Sequence, residues 1–301
     1  MLNSLFSRIN LGEPASAGPL RVFPVFPLCP PTALVALISD AVAKGLASIE
    51  EVDGGTGAWF RQLGIFNGGR LPLLVRDSDL LKGGRQDRTI EQTCLLPTGQ
   101  RTVVPTLCVE QSRSHYSGAH DFTVSRSSVD ANLRSARMRS ASAGRDMQGE
   151  TWDQVASLRA VSGLRQSGGS LIEVEQLNEE RLAALEAALP PVYQATGLVI
   201  ASARHGAKPA LVAEFFSDAP TCAAAWPGLV RAAALRSGVT EKAPRVSRTE
   251  VRSFLQAAAR AEATTAPVVG LGHLSRLSFG QATGSVLTLD GQVVHAALLA
   301  A

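Results

Sequence analysis

The feature that most limits the fold is a run of short apolar segments between Ile49 and Cys108, each closed by a tight turn. IEEV, AWFRQLGIF, LPLLVR, RTIEQTCLL and RTVVPTLCV are separated by GGTG, NGGR, KGGR and PTGQ. Segments of this length, rich in β-branched residues and bounded by Gly or Pro-Thr-Gly, read as strands. The turns leave no room for the crossover that a parallel pair needs, so neighbouring strands pair antiparallel. Five strands from one stretch make a sheet with a core of its own.

Around this run the pattern is mixed. Residues 1–20 read as a flexible leader, and RVFPVFPL as a strand whose prolines suit an edge. A buried helix is expected from Thr32, its N-cap, to about Lys44, with Gly45 just past its end. Residues 112–169 are polar and rich in Ser and Arg, an insertion or lid with helices expected over 129–139 and 151–161. Beyond it, NEERLAALEAAL is capped by Asn178 and sets Leu182, Leu185 and Leu189 on one face. GLVIASARHGAKPALVAEFF reads as two strands around Gly206, and a helix runs from Asp218 to about Ser237 with Pro227 inside it. Ser247 and Glu250 form a capping box, and Asp290-Gly291 makes a tight hairpin between the last strands. No internal repeat is present. The fold class is α+β, mostly antiparallel sheets with flanking helices, in a single domain over 21–301.

Composition narrows the partners. A net charge of +3 is too small to imply nucleic acid, and no apolar run approaches the roughly 18 residues of a membrane span. The N-terminus lacks the apolar core of a signal peptide, so the expected location is the cytoplasm. Cys29, Cys94, Cys108 and Cys222 form no C-x-x-C pair, which fits free thiols in a reducing compartment and no zinc. His115 and His120 have no third ligand near them in sequence and read as solvated; no metal and no cofactor are expected. Gly270 and Gly272 lack the third glycine and following helix of a dinucleotide turn and read as the end of a strand. Arg134, Arg137 and Arg139 lack the interleaved aromatics of a single-strand binder, and a solvated helix face is expected there.

The segment from Leu80 to Arg113 holds the chemistry. Gly83-Gly84-Arg85-Gln86-Asp87-Arg88 has two glycines that let backbone N–H groups converge on an anion, and arginines that fork onto phosphate or carboxylate. The same residues also suit a hairpin connection facing water. The neighbouring strand TLCVEQSR puts Cys108 and Glu110 on one face, with Arg113 just beyond, and so favours a site. Glu110 is either the ion-pair partner of Arg88 or Arg113, or a general base held by them. Cys108 reads as a buried, inert thiol.

These two blocks resemble the family named for its association with ADP-ribosylglycohydrolase and rhodanese/phosphatase-superfamily proteins. Gly83, Gly84, Gln86 and Arg88 match a Gly-Gly-x-Gln-Asn-Arg block, and Cys108, Val109, Glu110 and Arg113 a Cys-Val-Glu-x-x-Arg-Trp block. Weaker likeness runs through most of the chain after residue 20. The family's Asn is Asp87 here, its Trp is Ser114, and an acidic residue preceding the first block is Asp79. The resemblance implies a mainly prokaryotic setting near ADP-ribose chemistry.

The expectation is a pocket for a small anionic ligand, a phosphorylated nucleotide or ADP-ribose-like molecule. Gly83, Gly84, Gln86, Arg88 and Arg113 would bind it, and Glu110 and Asp79 would serve as acid/base groups for its hydrolysis. The alternative is a non-catalytic interaction module in which Arg88, Glu110 and Arg113 form a structural ion network.

Overall fold

A computed structural model of the protein describes residues 6, 9–26, 34–52, 61–111, 113, 121–164, 169–204, 207–237 and 242–301. The fold is α+β with mostly antiparallel sheets. No helix among the described residues is long and apolar enough to cross a membrane. The chain divides into two compact units, a finer division than the single domain expected. One comprises Met1–Leu34, Glu180–Pro267 and Gly272–Ala301; the other comprises Val35–Glu179 and Val268–Leu271.

The first unit opens with β1 (Asn10–Leu11), β2 (Ala15–Ala17) and β3 (Leu20–Phe26). Residues expected as a flexible leader are thus partly in strands, because Leu11 is only 1% exposed and packs in this unit's core.

The second unit follows with β4 (Ala36–Leu37), α1 (Ile38–Ala43), β5 (Ala47–Glu51), β6 (Gln62–Asn67), β7 (Leu73–Val75), β8 (Asp79–Lys82), β9 (Arg88–Ile90), β10 (Cys94–Leu96), β11 (Gln100–Cys108) and β12 (Thr123–Ser128). Helices α2 (Ala131–Ser142), α3 (Met147–Val161) and α4 (Leu171–Leu177) complete it. The long helix expected up to Lys44 is a single short one, because Ala36 and Leu37 pair in parallel with β7; Thr32 lies outside the described residues. RTIEQTCLL is two strands, not one. The chain bends between them where Thr93 turns its hydroxyl onto Asp77.

Six strands form a sheet in the order β12-β8-β9-β11-β6-β5, and β10-β7-β4 form a smaller one. Their shared core includes Ile38, Leu63, Ile65, Leu73, Leu81, Ile90, Val104 and Phe122. Strand β11 changes partner along its length. Gln100 to Pro105 pair with β6, and Thr106 to Cys108 with β9. That switch sets Cys108 opposite Arg88 and brings the two polar blocks together.

Helix α2 corrects the expectation of a solvated arginine face for two of its three arginines, while Arg139 is exposed. Arg134 and Arg137 are buried, at 1% and 2% exposure. Arg134 forks onto Asp77, with Nη2 2.8 Å and Nε 3.1 Å from its oxygens. Arg137 donates to the carbonyls of Asp77 and Ile90 and to the Thr89 hydroxyl. Burial, offset by Asp77, holds Arg137 down to about 10. The physical reason is reach: a guanidinium on a long stem satisfies itself on strand ends that no apolar side chain could pair.

The chain returns to the first unit through α5 (Glu179–Ala188), β13 (Gly197–Ser202), β14 (Ala210–Phe216), α6 (Ala219–Ala234), α7 (Arg248–Ala259), β15 (Glu262–Ala266), β16 (His273–Phe279), β17 (Ala282–Leu289) and β18 (Gln292–Ala300). These strands extend β1–β3 into a nine-stranded sheet. Asp218 caps α6, and Ser247 with Glu250 closes the capping box of α7, as the sequence indicates. Asp290 and Gly291, at φ 48° and 76°, make the β17–β18 turn.

Candidate functional site

The loop between β8 and β9 is shaped by two glycines at φ 133° and 54°. A Cβ on Gly83 would come within 2.4 Å of the Asp121 carbonyl, and one on Gly84 within 2.3 Å of the Phe122 ring. Backbone N–H groups in this loop do turn toward anions, but the anions are the protein's own carboxylates. Gly83 N–H donates to Asp87 Oδ1 (3.1 Å), Arg85 N–H to Glu51 Oε1 (2.9 Å) and Asp87 N–H to Glu110 Oε2 (3.1 Å).

Arg113 ties the second block to the first. Its Nε lies 3.0 Å from both Glu110 oxygens, Nη2 is 2.8 Å from Glu110 Oε2 and 3.3 Å from Asp87 Oδ1, and Nη1 donates to the Gly84 carbonyl at 2.6 Å. The other Asp87 oxygen accepts from the Ser170 hydroxyl at 2.6 Å. Ser170 is placed by its own capping box at the start of α4, where its oxygen also accepts from Ile172 N–H. Burial pushes the Asp87 carboxyl up from its ordinary value and the charge of Glu110 adds to this, while the bonds from Ser170 and Gly83 and the charge of Arg113 pull the other way. For Arg113, burial alone would lower the guanidinium, but the bond and charge of Glu110, then Asp87, raise it.

Asp87, Glu110, Arg113 and Ser170 line a cavity of about 400 Å³. Lys82, Gly83, Asp121, Thr123, Ile172, Glu173 and Gln176 complete the lining.

Arg88 and Gln86 lie elsewhere. Arg88 is fully buried, and its Nη1 donates to the carbonyl and Oε1 of Gln86 and approaches Cys108 Sγ at 3.2 Å. Its Nη2 lies 3.8 Å from a Glu51 carboxylate oxygen, and burial lowers its guanidinium. Gln86 donates to the Glu110 carbonyl at 3.0 Å. Cys108 is buried, and burial raises its thiol despite the Arg88 charge. Gln148 on α3 binds both the N–H and the C=O of Cys108, each at 2.9 Å, and so fastens the end of β11.

Of the residues singled out from sequence, Gly83, Glu110 and Arg113 line the cavity, while Gln86 and Arg88 brace the loop from beneath. Gly84 supplies a carbonyl to Arg113. Asp79 does not join Glu110. It accepts from Arg76 N–H, Nε and Nη2, the last at 2.6 Å, and is absent from the lining. The expected network of Arg88, Glu110 and Arg113 is replaced by Glu110, Arg113 and Asp87, with Arg88 facing Glu51. His115 and His120 lie outside the described residues.

Sequence reasoning missed Asp87 and Ser170. Asp87 was visible only as a carboxylate in place of a carboxamide. Ser170 carried the local signal of a capping box, Ser170 to Glu173, but nothing in the sequence links it to a loop some eighty residues earlier.

The family model described as ARG and Rhodanese-Phosphatase-superfamily-associated Protein domain, ARPP-1, matches residues 8–299, and the chain belongs to that family. No curated protein and no solved structure matches it.

Proposed function

We propose that this member of the ARPP-1 family binds a phosphorylated nucleotide or ADP-ribose-like ligand in the cavity of its second unit and hydrolyses the ligand's glycosidic linkage. The observation that carries the reading is the pair of carboxyls held on one guanidinium in a cavity wall. Asp87, whose carboxyl is raised by burial, is the general acid; Glu110, held by two nitrogens of Arg113 and close to Asp87, is the nucleophile. Glu110 bonds the anomeric carbon as the bond to the leaving group breaks and Asp87 protonates the departing atom. Water then gives a proton to Asp87 and its oxygen displaces Glu110 from the sugar. Cys94, Cys108 and Cys222 are free thiols, which fits the cytoplasmic setting that is part of this proposal.

The test is release of reducing sugar from base-linked and protein-linked ADP-ribose, with wild type beside Asp87→Asn and Glu110→Gln. Each variant should lose on the order of a hundredfold or more in rate while remaining folded. Equal turnover in folded variants sinks the hydrolytic reading.

A second reading is favoured by a different observation. Both oxygens of Asp87 and both of Glu110 already have protein partners, as they would in an interaction module held together by this network. Such a module shows no turnover, and loss of Arg113 is felt in stability alone.

A further inference from the structure

An ionised carboxyl offers about four lone-pair sites, and the donors around Asp87 and Glu110 show which of theirs are taken. On Asp87, Oδ1 accepts from Gly83 N–H (3.1 Å) and from Arg113 Nη2 (3.3 Å). Among the described residues, Oδ2 accepts from the Ser170 hydroxyl alone, at 2.6 Å. On Glu110, Oε2 accepts from Asp87 N–H (3.1 Å) and lies 2.8 Å from Arg113 Nη2. Oε1 only shares the Arg113 Nε hydrogen with Oε2, at 3.0 Å from each. One oxygen of each carboxyl is therefore filled, and the other keeps an open site.

Ser170 fixes this arrangement from two sides. Its backbone forms an antiparallel bridge with Glu110, and Leu171 N–H donates to the Val109 carbonyl at 3.0 Å. Its hydroxyl accepts from Ile172 N–H at 3.1 Å and gives its one hydrogen to Asp87. Ser170 and Asp87 are 4% and 5% exposed, so little water competes for that bond.

From this we infer that the acid proton is carried on Asp87 Oδ2, that Glu110 Oε1 is the attacking atom, and that Ser170 is the positioning residue holding the two in register. This rests on the hydrolytic reading and assigns its reacting atoms. Oε1 bonds the anomeric carbon while the Oδ2 proton passes to the departing atom. Water then returns a proton to Oδ2, and its oxygen displaces Oε1. Ser170 also sets when the acid gives up its proton. Burial favours the acid form of Asp87 and the Ser170 bond opposes it; the charge of Glu110 adds to burial, and Gly83 and Arg113 side with Ser170. Lys82, Asp121 and Glu173 complete the charged lining, and no substitution of Ser170 alters them.

Ser170→Gly, Ser170→Ala and Ser170→Thr in the full chain test it. Each is followed by release of reducing sugar from base-linked and protein-linked ADP-ribose across pH, and by NMR titration of the Asp87 carboxyl carbon, identified by its loss in Asp87→Asn. Glycine is tolerated at a helix start, so Ser170→Gly removes the hydroxyl at little cost to the cap. In the glycine and alanine variants kcat should fall about tenfold or more with KM near wild type. The Asp87 midpoint should rise, and the alkaline limb of kcat/KM should move up with it, because the acid keeps its proton to higher pH. Ser170→Thr should restore all three. A residue that only caps its helix would move none of them in Ser170→Gly. If wild type turns over but the folded glycine variant keeps its kcat, or its Asp87 midpoint is unmoved, the inference falls and the hydrolytic reading stands. If wild type releases no sugar, both fall together.

Discussion

At the scale of single residues the site turns on Arg113, which holds two carboxylates and a carbonyl with one guanidinium. Arg113→Ala leaves Asp87 and Glu110 side by side without their shared cation. The expected loss is about 2–4 kcal/mol by chemical denaturation, somewhat below the 3–5 of a fully buried pair because the side chain is partly exposed. Asp87 adds a pH signature. Its carboxyl is raised above 3.8, so the folded state favours the protonated form. The stability this contributes is complete below that pH and is lost as pH rises through the folded pKa. Asp87→Asn removes the titration, so its melting temperature should gain on wild type as pH climbs from about 3 to 7. A difference constant with pH would contradict the burial account. The glycine pair was legible as a turn, since two adjacent glycines between strands have few other uses. That its N–H groups would turn onto the protein's own carboxylates was not legible, because Glu51 comes from a strand more than thirty residues earlier.

At the scale of elements, two helices begin with the same Ser-x-x-Glu capping box, and the comparison isolates what one of them adds. Ser247 serves only its own helix start, and Ser247→Ala should cost about 1 kcal/mol. Ser170 caps α4 and also donates to Asp87, so Ser170→Ala should cost roughly 2–3 kcal/mol, a cap plus a hydrogen bond to a carboxyl. Equal losses in urea melts would mean that the Asp87 contact contributes nothing. Helix α2 supplies a sharper case. Arg134→Ala strands Asp77 in the interior and should cost about 3–5 kcal/mol, where a solvated helix face would lose almost nothing. The strands from Ala47 to Cys108 could be read from apolar runs and turn residues, since both are local. The buried arginines could not, because charge in sequence reads as exposure until a carboxylate on another element, here Asp77, is known to meet it.

At the scale of the whole chain, the second unit's main segment, Val35–Glu179, interrupts the first unit, whose sheet is finished by strands from both sides of it. Pro27, Pro30 and Pro31 precede the first junction, but they read equally well as a strand edge and a helix start, and no Pro- or Ser-rich spacer marks the junction at Glu179. The α+β class was legible because it is a sum of local patterns; the division into units was not, because it depends on which distant strands pair. The proposal for the whole molecule is that a nucleotide-class ligand binds in the cavity walled by Asp87, Glu110 and Arg113. Hydrogen exchange read by mass spectrometry, with and without saturating AMP, probes that cavity segment by segment. Exchange should slow in segments 82–87 and 170–176, with no change in strand β14 of the other unit. Binding of AMP with unaltered exchange in both cavity segments, or with protection confined to the other unit, would contradict it.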